Sequence, residues 1–325
     1  MNQENRNNLI ILTGPTAVGK TALSLKLARD IGGEIVSADS IQVYRHFDIG
    51  SAKIMPQEMH GIPHHLIDIL DPKDSFNVME FKKYAEEAMS GIYERGHIPI
   101  ITGGTGFYIQ ALLYDISFDE ETEDGYRKKL ESIGDEKGND YLHAMLAACD
   151  PESAQAIHAN NRQRVIRALE YFHQTGKKFS THNETEREKT SPYNFAYFVL
   201  TRNRADLYET IEQRIDEMLT QGLVEEVRSL VETYHLTADD TSMQGIGYKE
   251  ILGYLNGSYD LPEAIRILKR DTRHFAKRQL TWFRRERDVI WLDKDVLDTD
   301  RKLEDAILTH LAEKNIIGEH YECNQ

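Results

Sequence analysis

The chain has 325 residues, 40% of them hydrophobic, and a formal net charge of −15. That length supports a sizeable core and, at about 150 residues per domain, two domains or one domain with a large insertion. The acidity argues against a protein that coats nucleic acid through its overall field. No apolar run approaches a membrane span and the N-terminus has no signal-like apolar core, so a cytoplasmic protein without a membrane partner is expected. Cys149 and Cys323 are far apart and outside any Cys-x-x-Cys spacing, which speaks against a disulfide framework or a cysteine zinc site.

The first element is the apolar run Leu9-Ile10-Ile11-Leu12, read as a strand, followed by Gly14-Pro15-Thr16-Ala17-Val18-Gly19-Lys20-Thr21 and a helical Ala22–Ala28. Strand, glycine loop and helix together match the phosphate-loop pattern. Successive backbone N–H groups and a helix N-terminus converge on a di- or triphosphate, Lys20 adds a point charge, and the Thr21 hydroxyl is placed for a phosphate-bound Mg²⁺. Glu34–Ala38 reads as a second strand ending at Asp39-Ser40, where a carboxylate is a metal ligand, a base or a loop cap. Ile41-Gln42-Val43-Tyr44-Arg45 mixes planar, aromatic and basic side chains suited to a nucleobase. His64-His65 is taken as structural, and Phe81, Tyr84, Ala85, Ala88 and Ile92 form the core face of a helix closed by Gly96.

A third strand, Ile98–Thr102, runs into Gly103-Gly104-Thr105-Gly106 instead of an acidic residue. Two readings remain open there: close approach of a second substrate to the backbone, or a tight strand-to-helix turn. From 117 to 193 the chain reads as a helical insertion, with Arg162, Arg164 and Arg167 in a helix and Lys177 to Pro192 as a mobile linker. The α/β core accordingly comprises 1–116 and 194–325. Phe195–Thr201 returns to strand, helices follow over Arg204–Gln221 and Leu223–Thr233, and Arg214 either faces the phosphate cleft or pairs with Asp216 or Glu217. Between Arg266 and Arg287 nine cations face two carboxylates, a local inversion that makes this helix a candidate polyanion surface. Arg266, Arg270, Arg273, Lys277 and Arg284 form one stripe about 27 Å long, with Leu268, Phe275 and Trp282 expected on the packed face. Val289–Leu292 is a last strand and Arg301–Leu311 a last helix.

The succession GPTAVGKT, ADSIQVYRHFDIGSAK, HHLIDI, GGTGFYIQAL, IHANNRQRVIRALE, QGIGYKE and KRQLTWFRR, between about residues 12 and 287, resembles the tRNA dimethylallyltransferase (tRNA isopentenyltransferase) family in its bacterial form. The resemblance implies a P-loop NTPase-like core with a mainly parallel sheet and a helical insertion that contacts tRNA. It implies transfer of a dimethylallyl group from dimethylallyl diphosphate to the exocyclic N6 amine of the adenosine 3′ to the anticodon. Gly14–Thr21 would hold the donor's diphosphate, with Lys20, Arg214, Thr21 and Mg²⁺ stabilising the leaving group. Asp39 would be the base, Ser40, Ile41 and Gln42 the adenine-side contacts, and Thr105, Arg127 and Gln163, Arg164, Val165, Ile166 and Arg167 contacts to tRNA. The basic helix, through Arg273, Lys277, Arg278 and Arg284, would follow the tRNA backbone while the target base is extruded. Thr210 stands where the family often has an arginine. No obligate protein partner is implied. The competing readings are an ATP-using small-molecule or nucleotide kinase, a prenyltransferase acting on free nucleotides, and a non-catalytic RNA-binding or nucleotide-sensing protein.

Overall fold

The structure, a computed structural model, describes residues 6–117 and 125–318. Cys323, the two chain ends and the start of the expected insertion at 118–124 lie outside the described residues. The chain divides into two compact units, Met1–Leu113 with Pro192–Gln325, and Tyr114–Ser191.

In the larger unit β1 (Asn8–Thr13) leads to α1 (Lys20–Ile31), β2 (Gly33–Ala38), the short β3 (His64–His65), α2 (Val78–Glu94), β4 (Ile98–Gly103) and α3 (Gly106–Leu113). The smaller unit holds α4 (Tyr126–Lys137), α5 (Asn139–Cys149), α6 (Pro151–Ala156), α7 (Arg162–Thr175) and α8 (Phe179–Glu188). The chain then adds β5 (Asn194–Thr201), α9 (Arg204–Gln221), α10 (Leu223–Tyr234), α11 (Tyr248–Leu255), α12 (Leu261–Phe283), β6 (Val289–Asp293) and α13 (Asp300–Glu313) to the larger unit.

The strands form one sheet in the order β3-β2-β4-β1-β5-β6, and the pairings are parallel. Strands of a parallel sheet are covered on both faces by crossover helices, so they read as unbroken apolar runs. Leu9, Ile10, Ile11 and Leu12 of β1 are accordingly all buried. β1 lies between β4 and β5, with Leu12 opposite Thr102 on one side and Phe198 on the other. The crossover direction therefore reverses around β1, and the carboxyl ends of its neighbours open a crevice there. At the opposite edge, buried Glu34 accepts from Arg95 Nη2, His65 Nε2 and His97 Nδ1, each at 2.7 Å. The Arg95 guanidinium foremost, then the two imidazoles, hold its carboxyl down at about 2 against the cost of burial. His65 is thus structural, as expected.

The segment between β2 and β3 is fixed from within. Lys53 Nζ donates to Tyr44 O, Asp48 and Asp68 at 2.7, 2.8 and 2.5 Å. Glu226 of α10 accepts from the N–H groups of Asp48, Ile49 and Gly50 and from the Tyr248 hydroxyl. Tyr44 is fully buried against Phe47, and Arg45 pairs with Asp71. The buried Tyr44 side chain does not meet the expectation of a nucleobase contact, whereas Arg45 stays exposed. Steric closure of this loop on Tyr44 accounts for the difference.

In the smaller unit Leu130, Leu142, Leu146, Val165, Ile166 and Leu169 form an apolar core. Asp150 caps α6 through Ser153 N and also accepts from Ser180 N and Oγ, which binds α8 to it. The tract from Lys177 to Pro192, expected as a mobile linker, therefore contains a helix anchored by a buried carboxylate.

The packed face of α12 is also shifted from the one expected. Ala264, Leu268, Thr272, Ala276, Gln279 and Phe283 are buried, whereas Phe275 and Trp282 are half-buried. A seven-residue interval drifts by about 20° per repeat on a straight helix, which carries Phe275 and Trp282 out of the seam that starts at Leu268.

Candidate active site

The phosphate loop leaves β1 through Gly14, at φ 150, where a Cβ would come within 2.6 Å of Leu200 O on β5. Only glycine passes that strand without displacing it. Ala17 and Gly19 both adopt positive φ, and α1 begins at Lys20 with no acidic residue in its first turn and no side chain capping it. Its leading N–H groups and the positive end of its dipole are left for an anion. Lys20 Nζ donates to Gly14 O at 3.0 Å and Pro15 O at 2.8 Å, folding the ammonium back over the loop. Burial, then repulsion from Arg214, pushes its pKa down to about 7, with Asp39 opposing. Thr21 is exposed at the first turn of α1.

Arg214, on α9, sends Nη2 to the hydroxyl of Thr16 in the loop. The contact spans 198 residues of sequence. Of the two readings left open for this arginine, the structure has the one at the phosphate cleft, while Asp216 pairs with Lys269 instead. Burial lowers the Arg214 pKa, and Asp39 and Glu217 counter that shift. Two cations and one carboxylate thus lie within electrostatic reach of one another around the loop.

Asp39 follows the last residue of β2. Its Oδ1 accepts from Ile41 N at 2.9 Å and Gln42 N at 3.2 Å, an Asx turn that fixes the carboxylate, and among the described residues Oδ2 has no hydrogen-bond partner. One oxygen orients the group and the other is available for chemistry. Thr105 comes beside it because its N–H donates to Ala38 O at 3.3 Å. Gln42, expected at the adenine, has its amide engaged by the Ser37 hydroxyl at 3.2 Å and by Ser51 O at 3.1 Å. Its carboxamide serves this turn. Ser40 and Ile41 are half-buried beside it.

The glycines after β4 have a packing explanation. A Cβ on Gly103 would meet Ala38 O at 2.2 Å, one on Gly104 the Gln279 Nε2 at 2.1 Å, and one on Gly106 the Trp282 Cδ1 at 2.3 Å. Their neighbours are β2 and two side chains of α12, so of the two readings left open for these glycines the packing accords with the tight strand-to-helix turn. Gln279 itself was missed by sequence reasoning. It accepts from Thr16 N and donates to Gly104 O, both at 2.9 Å. Lys294, just past β6, was also missed; its Nζ lies 3.3 Å from Val18 O.

The basic helix is less free than its composition implies. Arg266 pairs with Glu263, Lys269 with Asp216, Arg270 with Asp271, and Arg273 with Glu212. Among the described residues Lys277, Arg278, Arg284 and Arg285 have no ion pair. Lys277, Arg278 and Arg285 line a hollow of about 380 Å³ with His274, Thr281 and Trp282. In the smaller unit Gln163 and Arg164 are exposed. Val165 and Ile166 are buried in the core, so their side chains are not RNA contacts: the inward face of an amphipathic helix carries them. Arg127 is bound to buried Glu170 at 2.9 Å, and Arg167 approaches the same carboxylate at 3.8 Å.

The sheet order and the loop define a phosphate-loop α/β protein with its cleft at the end of β1. The model of the IPP transferase family matches residues 42–286. A tRNA dimethylallyltransferase of Lachnoclostridium phytofermentans is 56% identical over 310 residues, covering 95% of this chain and 99% of that protein. The crystal structure of the full-length tRNA isopentenylpyrophosphate transferase from Bacillus halodurans is similar at a TM-score of 0.72 and 43% identity, covering 95% of this chain and 98% of that one. A eukaryotic dimethylallyltransferase acting on tRNA is similar at a TM-score of 0.80 and 30% identity, over 97% of this chain and 81% of that one. The chain belongs to the IPP transferase family.

Proposed function

We propose that the protein transfers a dimethylallyl group from dimethylallyl diphosphate to the N6 amine of the adenosine 3′-adjacent to the anticodon of a tRNA. Family membership supports tRNA prenylation. The observation that carries the residue-level reading is the convergence of Lys20, the Arg214–Thr16 contact and the open oxygen of Asp39 at the ends of β1 and β2. As the allylic C–O bond breaks, the electron pair leaves with the diphosphate, and the loop N–H groups, Lys20 and Arg214 stabilise the growing charge. The adenine amine is a weak nucleophile, because its lone pair is conjugated with the ring, and turns acidic only as the C–N bond forms. Asp39, held through Oδ1, orients that amine and takes its proton late on Oδ2.

Mg²⁺ belongs to the proposal. Among the described residues no group of three or more His, Cys, Asp or Glu side chains could hold a metal ion. Thr21, through its hydroxyl at the exposed first turn of α1, would help hold the ion together with the donor's diphosphate, an oxygen donor set that suits Mg²⁺. Bound there it would supply further positive charge to the leaving group. For RNA, Lys277, Arg278, Arg284 and Arg285 are the proposed phosphate contacts of the larger unit, and Gln163 and Arg164 those of the smaller. No helix among the described residues is long and apolar enough to cross a membrane, and a cytoplasmic site of action is proposed.

A kinase reading is disfavoured because β4 runs into glycines packed against β2 and α12, with no acid there to organise metal and water. The test is to incubate the full chain with anticodon stem-loop RNA, dimethylallyl diphosphate and Mg²⁺, and to read the nucleoside mass. A gain of one dimethylallyl unit on the loop adenosine is expected. ATP consumption without that gain, in a parallel arm, would move the protein to the kinase class.

A further inference from the structure

We propose that Gln279 is a positioning residue that locks the phosphate loop to the loop after β4, holding the prenyl donor at reaction distance from the acceptor amine. This rests on the function proposed above. Gln279 is 5% exposed and sits in a seam otherwise lined by Ala276, Phe283 and other small or apolar side chains. A buried carboxamide there would be costly unless both ends were satisfied. Both are: Oε1 accepts from Thr16 N, 263 residues away in sequence, and Nε2 donates to Gly104 O, 175 residues away.

Each partner belongs to one half of the reaction. Thr16 lies in the diphosphate loop and its hydroxyl takes the Arg214 contact, so its backbone is fixed by α12 and its side chain by α9. Gly104 precedes Thr105, whose N–H is bound to Ala38 O beside Asp39. A chain of hydrogen bonds thus runs from the leaving-group side to the base side, and among the described residues Gln279 is its side-chain link across the gap between the loops. The same helix carries Lys277 and Arg278, which have no ion pair among the described residues, at the two positions preceding Gln279. An apolar side chain of equal length would fill the seam as well, yet would leave Thr16 N and Gly104 O without these partners. The positions of the two loops, and not packing alone, therefore depend on the amide.

The test compares wild type with Gln279→Met, which keeps the volume, and Gln279→Ala, which does not, using the full chain, stem-loop RNA, dimethylallyl diphosphate and Mg²⁺. Misplacement of reacting groups by about 1 Å costs on the order of 10²-fold in rate. Gln279→Met is expected to lose kcat on that scale, to bind inorganic diphosphate several-fold more weakly, and to bind the stem-loop within about threefold of wild type, far less than loss of a phosphate contact at low salt would cause. Wild-type kcat in Gln279→Met, with only Gln279→Ala impaired, would make Gln279 a packing residue and overturn the proposal. Loss of stem-loop affinity in proportion to kcat would overturn it as well, by making the residue an RNA determinant. Absence of product in wild type would instead overturn the transferase reading, an outcome distinct from any loss confined to the variants.

Discussion

Lys20 carries its charge at the edge of neutrality because it is enclosed and faces Arg214. An anion beside it favours the ammonium, so above pH 7 binding of a diphosphate takes up a proton at this side chain. Metal-free inorganic diphosphate is expected to bind progressively more weakly as pH rises above about 7, approaching tenfold per unit from this group. Isothermal titration of wild type against Lys20→Arg, whose guanidinium does not titrate, cancels the ligand's own protons. An affinity difference unchanged between pH 6.5 and 8.5 would contradict the account. The sign for folding follows from the same shift. Between about 7 and 10.5 the unfolded chain binds the proton that the folded chain has released, so Lys20 favours folding increasingly as pH rises through that window. In the proposed mechanism Asp39 acts through geometry: its Asx turn fixes the carboxylate by two N–H groups and leaves Oδ2 for the amine proton.

At the scale of elements, α12 is the part around which the site is assembled. It seats Gln279 over Gly104 and Trp282 over Gly106, where added Cβ atoms would lie 2.1 and 2.3 Å from those side chains. Gly104→Ala is therefore expected to displace Gln279 and reduce kcat as Gln279→Met does, with stem-loop affinity retained; unchanged kcat would show that the contact is dispensable. Much of this was legible in the sequence. The phosphate loop announces itself because its glycines, lysine and threonine are adjacent. The helix pair joined by Gly222 was readable because its periodicity and its cap are local signals. The role of Gln279 was not, since its partners are 263 and 175 residues away and a polar residue in a helical seam has no local mark. The choice between the two readings of the glycines at 103, 104 and 106 was not legible for the same reason: what fills the space above them comes from β2 and α12. Val165 and Ile166 show the limit of a motif carried over as a block, because the face of α7 decides which of its residues meet solvent.

For the whole molecule, a net charge of −15 repels RNA except where cations are free. Three of the five cations of the basic stripe are spent on carboxylates, so affinity is expected to depend on Lys277, Arg278, Arg284 and Arg285 and little on Arg266 or Arg270. Replacing any one of the four with Ala should lower the slope of log K against log salt by roughly 0.7 to 0.9, while Arg266→Ala leaves it nearly unchanged. Equal slopes for all of them would mean that the ion pairs open on binding. The central claim is that leaving-group stabilisation and proton acceptance are held by separate residues of one cleft, apart from the surface that grips RNA. Its most direct measurement is dimethylallyl transfer and stem-loop affinity, taken together, in Lys20→Ala and Asp39→Ala. The account predicts that transfer falls by about 10² or more in each with RNA affinity close to wild type. Loss of RNA binding in parallel with transfer would contradict it.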